Sequence, residues 1–341
     1  MDNYYETLEI SPRARTSVIT AAYKALMKEY HPDNGGDSKI AQRINEARDI
    51  LLDAEKRKRY DHKREDVSGK VIGNYRVLEL IAQGGFGKTY KGEQIHLGAP
   101  VCIKHAHYVS PQDEEILLKE ASAIWDLRHF SIPTMRDVLK LDDGSIALVM
   151  SYVPGPTLEQ VIDKVGKLDP EHVCWITERV LNALKYLHYN GVVHGDVKPQ
   201  NIIVQPQTHM VVIVDYGLSA IRPSADSENH GYTPFFASPE QERGGVIVPE
   251  SDFYSLAMTM IYALGGDVAT RRVPSGVNDE LCDFIKRLLV YNVLSRPSWH
   301  KEDLCDTIQR LRLNLFGRAS SDMKPIEGLE EVTKNVRSRR L

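Results

Sequence analysis

The chain has 341 residues, enough for one large domain and one small one. Its 26% charged residues and formal net charge of −4 argue against bulk electrostatic binding of nucleic acid. No run of about 18 apolar residues occurs and the first residues carry no basic stretch, so neither a membrane span nor a secretory signal is expected. Four cysteines (Cys102, Cys174, Cys282, Cys305) lie far apart with no CxxC pair, so neither a disulfide framework nor a zinc site is expected and a reducing cytoplasm fits.

The first sixty or so residues read as helices alone. Ile19, Ala22, Tyr23, Leu26 and Tyr30 share one helical face, and Ile40, Ile44, Ala47 and Leu51 share another. Between them lies His31-Pro32-Asp33-Asn34-Gly35-Gly36, which cannot continue a helix and turns the two into an antiparallel hairpin. Residues 62–71 are polar and read as a short flexible linker. From Tyr75 the period changes to that of strands, expected near 75–80, 89–91, 101–103, 138–141 and 146–152. Beyond Pro154 helices dominate, one starting at Asp169-Pro170 and another, apolar almost all round, over 253–264. A strand-rich half before a helix-rich half implies two lobes with a cleft between them. The polar stretch after Phe316 is expected to be mobile.

Several residues in that cleft carry chemistry. Gly84-Gly85-Phe86-Gly87 lies between two strands, where backbone N–H groups can approach a phosphate closely, although a plain hairpin turn has the same composition. Lys104 ends an apolar strand and Glu120 lies on the inward face of a helix with Leu117 and Ile124. Each buried charge needs a partner, and a Lys104–Glu120 pair answers both needs. Asp196, Lys198 and Asn201 follow a helix, and Asp215 ends the second strand of a short hairpin. Two carboxylates and an amide at one hairpin mouth offer hard oxygen ligands suited to Mg²⁺.

With these motifs in order, residues 74–316 resemble a eukaryotic-type serine/threonine protein kinase. Val101-Cys102-Ile103-Lys104 resembles the strand that ends in the phosphate-binding lysine, and Asp215-Tyr216-Gly217 resembles the metal-binding DFG motif. The resemblance implies an α+β two-lobed fold, with a small antiparallel β lobe and a large helical lobe, and ATP and Mg²⁺ as cofactors. It implies Asp196, Lys198, Lys104 and Glu120 as catalytic residues and Asn201 and Asp215 as metal ligands. Nucleotide contacts would come from Ile81, Gly84, Gly85, Phe86, Gly87, Thr89, Cys102, Lys104 and Ile203, with Met150 as gatekeeper and Ser151 to Val153 as hinge. Glu240 would pair with Arg296, and Asp252 would open the central helix. Lys198 and Thr233 resemble serine/threonine rather than tyrosine kinases. The pattern departs at Ala82, Thr89 and Cys102, and Gly195 replaces the arginine that in many kinases clamps a phosphorylated activation loop. Neutral Thr157 and Gln200 stand where arginine-selecting kinases carry carboxylates, so no strong selection for upstream arginine is expected.

Residues 1–62 resemble the J-domain of DnaJ-type co-chaperones, a small all-α helical hairpin. The matches are Tyr4-Tyr5, Leu8, Ala22-Tyr23, Leu26, His31-Pro32-Asp33, Asn45-Glu46-Ala47 and Tyr60-Asp61. The resemblance implies that His31, Pro32 and Asp33, with Lys24 and Lys28 as a basic face, engage a DnaK-type chaperone. Residues 63–73 would then be a linker and 317–341 a tail. The protein partners implied are this chaperone and a serine- or threonine-bearing substrate. A rival reading from another class is a catalytically weak pseudokinase scaffold that displays the J-domain.

Overall fold

The computed structural model describes residues 4–12, 14–31, 36–65, 67–83, 87–106, 111–141, 144–224, 227, 231–319 and 324–329. The first four helices are α1 (Tyr4–Thr7), α2 (Thr16–Tyr30), α3 (Ser38–Leu51) and α4 (Ala54–Glu65). They close over Tyr5, Leu8, Ile19, Ile44, Ala47 and Leu51, with Tyr23, Leu26 and Tyr30 packed at the edge. Asp37 caps α3 by accepting the Lys39 N–H. The inward face of α3 is Ala41, Ile44, Ala47 and Leu51, whereas Ile40 is exposed in the first turn. Tyr5 fastens α4 to α1: its hydroxyl donates to Asp61 (2.7 Å) and accepts from Arg57 (3.0 Å).

Within the linker expected over 63–73, residues 67–73 are anchored by packing and backbone hydrogen bonds. Helix α4 runs to Glu65, and Val67 is 1% exposed, packed with Val77, Tyr90 and Ile103. The Gly69 N–H donates to the Val77 carbonyl and the Val77 N–H to that of Lys70, both at 2.9 Å. Polar composition suggested slack, but one apolar side chain and a backbone ladder outweigh it.

A six-stranded antiparallel sheet follows, in the order β1-β2-β3-β4-β6-β5. Its strands are β1 (Val71–Ile72), β2 (Tyr75–Gln83), β3 (Gly87–Gln94), β4 (Pro100–Ala106), β5 (Met135–Lys140) and β6 (Ile146–Ser151), with α5 (Pro111–Ile124) between β4 and β5. Gly87 has no room for a side chain: a Cβ there would lie 2.3 Å from the His105 carbonyl oxygen on β4. Close strand approach therefore demands glycine at this position.

The helical lobe contains α6 (Leu158–Val165), α7 (Pro170–Tyr189), α8 (Pro239–Glu242), α9 (Pro249–Ala263), α10 (Asp279–Leu288) and α11 (Leu304–Phe316). Short strands β7 (Val192–Val193), β8 (Ile202–Gln205), β9 (Met210–Ile213) and β10 (Ala220–Ile221) pair as β7 with β10 and β8 with β9. Asp169 caps α7 ahead of Pro170, Asn278 caps α10 and Asp303 caps α11, each accepting a backbone N–H from the first turn. Helix α9 is buried along nearly its whole length, as its all-round apolar sequence requires. The tail is not wholly free either. Ile326 and Leu329 are buried in the lobe core, and Lys324 pairs with Asp169 at 2.7 Å. Two apolar side chains three residues apart fasten a segment whose composition reads as mobile, while 330–341 lie outside the described residues.

The β8–β9 turn tucks His209 under α7, 6% exposed, with its ring 4.7 Å from that of Trp175. Burial, helped by the nearby Arg179 and Arg312, lowers its pKa to about 4. An unfolded histidine titrates near 6.5, so on acidification the unfolded chain takes up the proton first. The stabilisation is complete above pH ~6.5 and is lost as pH falls toward ~4, at a cost of about 2 kcal/mol between pH 7 and 5. His209→Asn keeps the left-handed backbone (φ 50°) and removes the titration. Melting curves at both pH values should show a smaller acid drop in the variant; equal drops would rule His209 out as the sensor.

Candidate active site

Three elements meet at Lys104. Strand β4 carries the lysine, α5 carries Glu120 inward on the face of Leu117 and Ile124, and Asp215 follows β9. The Lys104 ammonium lies 2.7 Å from Glu120 Oε2 and 2.7 Å from Asp215 Oδ1. At 8% exposure for Lys104 and 2% for Glu120, neither side chain snorkels to solvent. Burial works against the ammonium, but the Asp215 and Glu120 carboxylates prevail and raise its pKa. Burial likewise opposes ionisation of Asp215, yet Lys104 holds that carboxyl at about 2. Asp215 has a left-handed backbone (φ 66°), and the Tyr216 N–H points at Glu120 Oε1 (3.4 Å).

The loop after β7 supplies the second cluster. Asp196 Oδ1 accepts the Thr233 hydroxyl at 2.6 Å, and its Oδ2 meets the Lys198 ammonium at 2.6 Å. Lys198 also donates to Thr233 Oγ1 (2.8 Å). The Asn201 amide donates to the Asp196 carbonyl (2.9 Å) and to its Oδ2 (3.0 Å), which leaves the Asn201 oxygen for another ligand. The Val214 N–H donates to the Asn201 carbonyl (2.9 Å), tying this loop to the Asp215 turn. Beneath it, buried Asp252 accepts the N–H groups of His194 and Gly195 at 2.8 Å each.

Two supports of this loop escaped the sequence reading. His188 Nε2 lies 2.8 Å from Asp252 Oδ2, while Trp299 Nε1 donates to His188 Nδ1 (2.9 Å). The indole fixes the imidazole as the tautomer that donates to Asp252. A histidine in the last turn of helix α7, just ahead of this loop, was the available signal.

Of the remaining candidate positions, Ile81 lies on β2, Gly87 and Thr89 on β3, Cys102 on β4, Met150 and Ser151 on β6 and Ile203 on β8. Strand register places Thr89 opposite Lys104 and Cys102 opposite Met150. Burial pushes the Cys102 thiol up to about 12, so it behaves as a small apolar group. Met150 is buried, Ile203 and Val153 are half-buried, and Ile81 is exposed on β2. The Ser151 N–H is spent on the Thr134 carbonyl (2.9 Å). Gly84, Gly85 and Phe86 lie outside the described residues. Among the described residues no three His, Cys, Asp or Glu side chains cluster to hold a metal unaided.

A protein kinase domain model matches residues 75–305. The chain belongs to the protein kinase family. A DnaJ domain model matches residues 3–61. The kinase region is similar to serine/threonine-protein kinase pkn3 of Myxococcus xanthus, 32% identical over 212 residues, 58% of this chain and 39% of that protein. It is similar to serine/threonine-protein kinase PrkC of Bacillus subtilis, 30% identical over 210 residues, 59% of this chain and 32% of the relative. Serine/threonine-protein kinase PknA of Mycobacterium tuberculosis is 32% identical over 204 residues, 57% of this chain and 47% of that protein. The matched region thus spans less than half the length of each of these relatives.

Within the kinase domain, Gly195 has a reason beyond the absent arginine. Its φ is +74°, and a Cβ there would lie 2.5 Å from the Leu218 carbonyl oxygen and 2.8 Å from Ile247 Cδ1. Gly195→Ala is therefore expected to cost about 1–3 kcal/mol through backbone strain. Gly195→Arg should fail to create a phosphate clamp. Thermal melts read the first; phosphatase sensitivity of the arginine variant reads the second. In the segment after Asp215, Ser219 is buried with its hydroxyl on the Tyr216 carbonyl (2.7 Å), whereas Ser224 is exposed.

In the DnaJ-like region, Lys24 and Lys28 are exposed one turn apart on α2. His31 ends that helix in an extended conformation, its carbonyl accepting the Gly36 N–H at 3.1 Å. Pro32 and Asp33 lie outside the described residues.

Proposed function

We propose that this chain is an ATP- and Mg²⁺-dependent protein kinase that phosphorylates serine or threonine and carries a J-domain for a DnaK-type chaperone. The observation that carries the kinase reading is the convergence of Lys104, Glu120 and Asp215 at 2.7 Å, beside an Asp196 already in contact with a hydroxyl. In this reading the substrate hydroxyl replaces that of Thr233 on Asp196. Asp196 orients it and accepts its proton as oxygen attacks the γ-phosphorus and ADP leaves. Lys198, within reach of the same hydroxyl, would steady the charge on the phosphoryl oxygens. Lys104 would hold the other phosphates, its direction set by Glu120.

Asn201 and Asp215 fit Mg²⁺: one offers an uncommitted amide oxygen and the other an ionised carboxylate. With only these two ligands the ion would depend on phosphate oxygens, and when bound it neutralises charge that develops on them. Ser151 would offer its carbonyl, and Val153 its backbone groups, to the adenine edge. His31 with Pro32 and Asp33, and the basic face of Lys24 and Lys28, would engage the chaperone in the cytoplasm, with Coulomb attraction speeding encounter at low salt. Among the described residues no helix is long and apolar enough to cross a membrane.

Incubation with labelled ATP and Mg²⁺, wild type beside Asp215→Ala, tests the first half. Transfer by the wild type alone supports catalysis. Absence of transfer to any protein or peptide would leave the scaffold reading. For the second half, His31→Gln should remove stimulation of a DnaK-type ATPase while phosphotransfer continues; equal stimulation would make the helical region a docking module only.

A further inference from the structure

The helical lobe has a hollow of its own, and none of the residues that line it belongs to the phosphotransfer set. It is open to solvent and about 330 Å³ in volume, and its wall includes Arg287, Val290, Ser295, Arg296, Lys301 and Glu302. Three of these are cations and one is a carboxylate, in a chain whose formal net charge is −4. Arg287 comes from the last turn of α10, Ser295 from the helical turn Val293–Ser295, and Lys301 from the segment just before α11.

The cations are not equally free. Arg296 spends every nitrogen on Glu240 and on backbone carbonyls, so it is a fixed part of the wall. Arg287 is half-exposed and meets the Glu302 carboxylate through one terminal nitrogen. Lys301 is exposed, and among the described residues its ammonium meets only the Leu294 carbonyl, at 3.3 Å. The hydroxyl of exposed Ser295 is a further donor. Asp283, one turn back from Arg287, is taken up by Lys286 at 3.0 Å.

An exposed ion pair contributes little stability and is readily exchanged for a better partner. Glu302 thus marks where an oxyanion sits on the Arg287 fork. Apart from Glu302, the side chains offered to the hollow are donors, so its ligand must bring several acceptors and negative charge. A carboxylate brings two oxygens and one charge. A phosphate monoester brings three oxygens and about −1.5 to −2 charges at neutral pH, and a planar guanidinium grips it at two of them. The rim is apolar: Leu294 is 81% exposed and Tyr291 59%, with Arg243 over the Tyr291 ring at 4.9 Å. Exposed apolar side chains beside a donor-lined hollow suit a polypeptide rather than a free anion.

We propose that this hollow binds a phosphorylated serine or threonine of a protein substrate, so that a polypeptide phosphorylated once is held for a further transfer. The link to the substrate rests on the kinase reading above. The binding itself does not, and the two are tested apart.

Fluorescence anisotropy with the whole chain compares a degenerate peptide library centred on phosphoserine with libraries centred on serine and on glutamate. The phosphoserine library should bind about tenfold or more tightly than the serine library, the scale of one charge-assisted contact. Arg287→Gln and Lys301→Gln should each weaken that binding several-fold. Glu302→Gln should strengthen it several-fold by removing the competing carboxylate, a sign that loss of a merely structural ion pair could not give. With labelled ATP and Mg²⁺, Arg287→Gln should leave kcat/KM on unphosphorylated serine peptides unchanged. On peptides that carry both a phosphoserine and a free serine it should lose several-fold, through KM. Equal binding of phosphoserine and glutamate, or binding indifferent to all three substitutions, overturns the site. Binding as expected with no KM effect overturns the substrate role. If binding holds and no phosphate is transferred to any peptide or to the chain itself, the kinase reading falls and the phosphopeptide site stands.

Discussion

Asp196→Asn should lower kcat by about 10²–10⁴, the range for loss of a positioned general base, while the fold survives. Asp196 is buried and sits among three donors: the Thr233 hydroxyl, the Lys198 ammonium and the Asn201 amide. An asparagine has the same shape but turns its own donor toward one of them and accepts no proton. The loss should therefore appear in turnover more than in nucleotide affinity, which separates it from Lys104→Met. That second variant strips the partner from Glu120 and Asp215 and should weaken the fold as well as the reaction. Steady-state kinetics with thermal melts on both variants check this. Near-normal turnover in Asp196→Asn would remove Asp196 from the proposed role.

The largest loss of stability should come from Arg296→Ala, about 3–5 kcal/mol for breaking a buried ion pair. The Arg296 side chain is 0% exposed and every nitrogen is used. It binds both oxygens of Glu240 at 2.7 and 2.9 Å, and the carbonyls of Val290, Glu250 and Tyr291. Truncation leaves those acceptors bare and the Glu240 charge uncompensated. Burial opposes that charge, but hydrogen bonds from Arg296 and Ser251 hold the Glu240 carboxyl below its ordinary range. Its stabilisation is present above the ordinary glutamate value and is lost as pH falls through the depressed one. Arg296→Lys should recover little, since an ammonium cannot reproduce the fork. Chemical denaturation of the three proteins at neutral pH measures this. A loss below about 1 kcal/mol, the level of an exposed pair, would contradict the burial argument.

Much of the active site was legible because its chemistry is written in short segments. Asp196, Lys198 and Asn201 fall within six residues, and one hairpin brings Asp215 beside them. Lys104 and Glu120 were legible for a different reason, since a charge on an apolar strand or an inward helical face requires a partner. Helix starts were equally local: Asp169 before Pro170 named its own cap.

What failed were inferences from average composition. Residues 67–73 and 324–329 read as slack because they are polar, yet Val67, Ile326 and Leu329 are buried in hydrophobic cores built mainly by other segments. By itself the sequence determined the two lobes, the helical N-terminal unit and the ionisable set of the cleft. Periodicity and paired buried charges depend on residue type and spacing alone. Only the tertiary structure decided that His188 and Trp299 brace Asp252 and that Gly195 has no space for a side chain. Each of those facts is a distance between segments that lie well apart along the chain, and no local pattern records such distances.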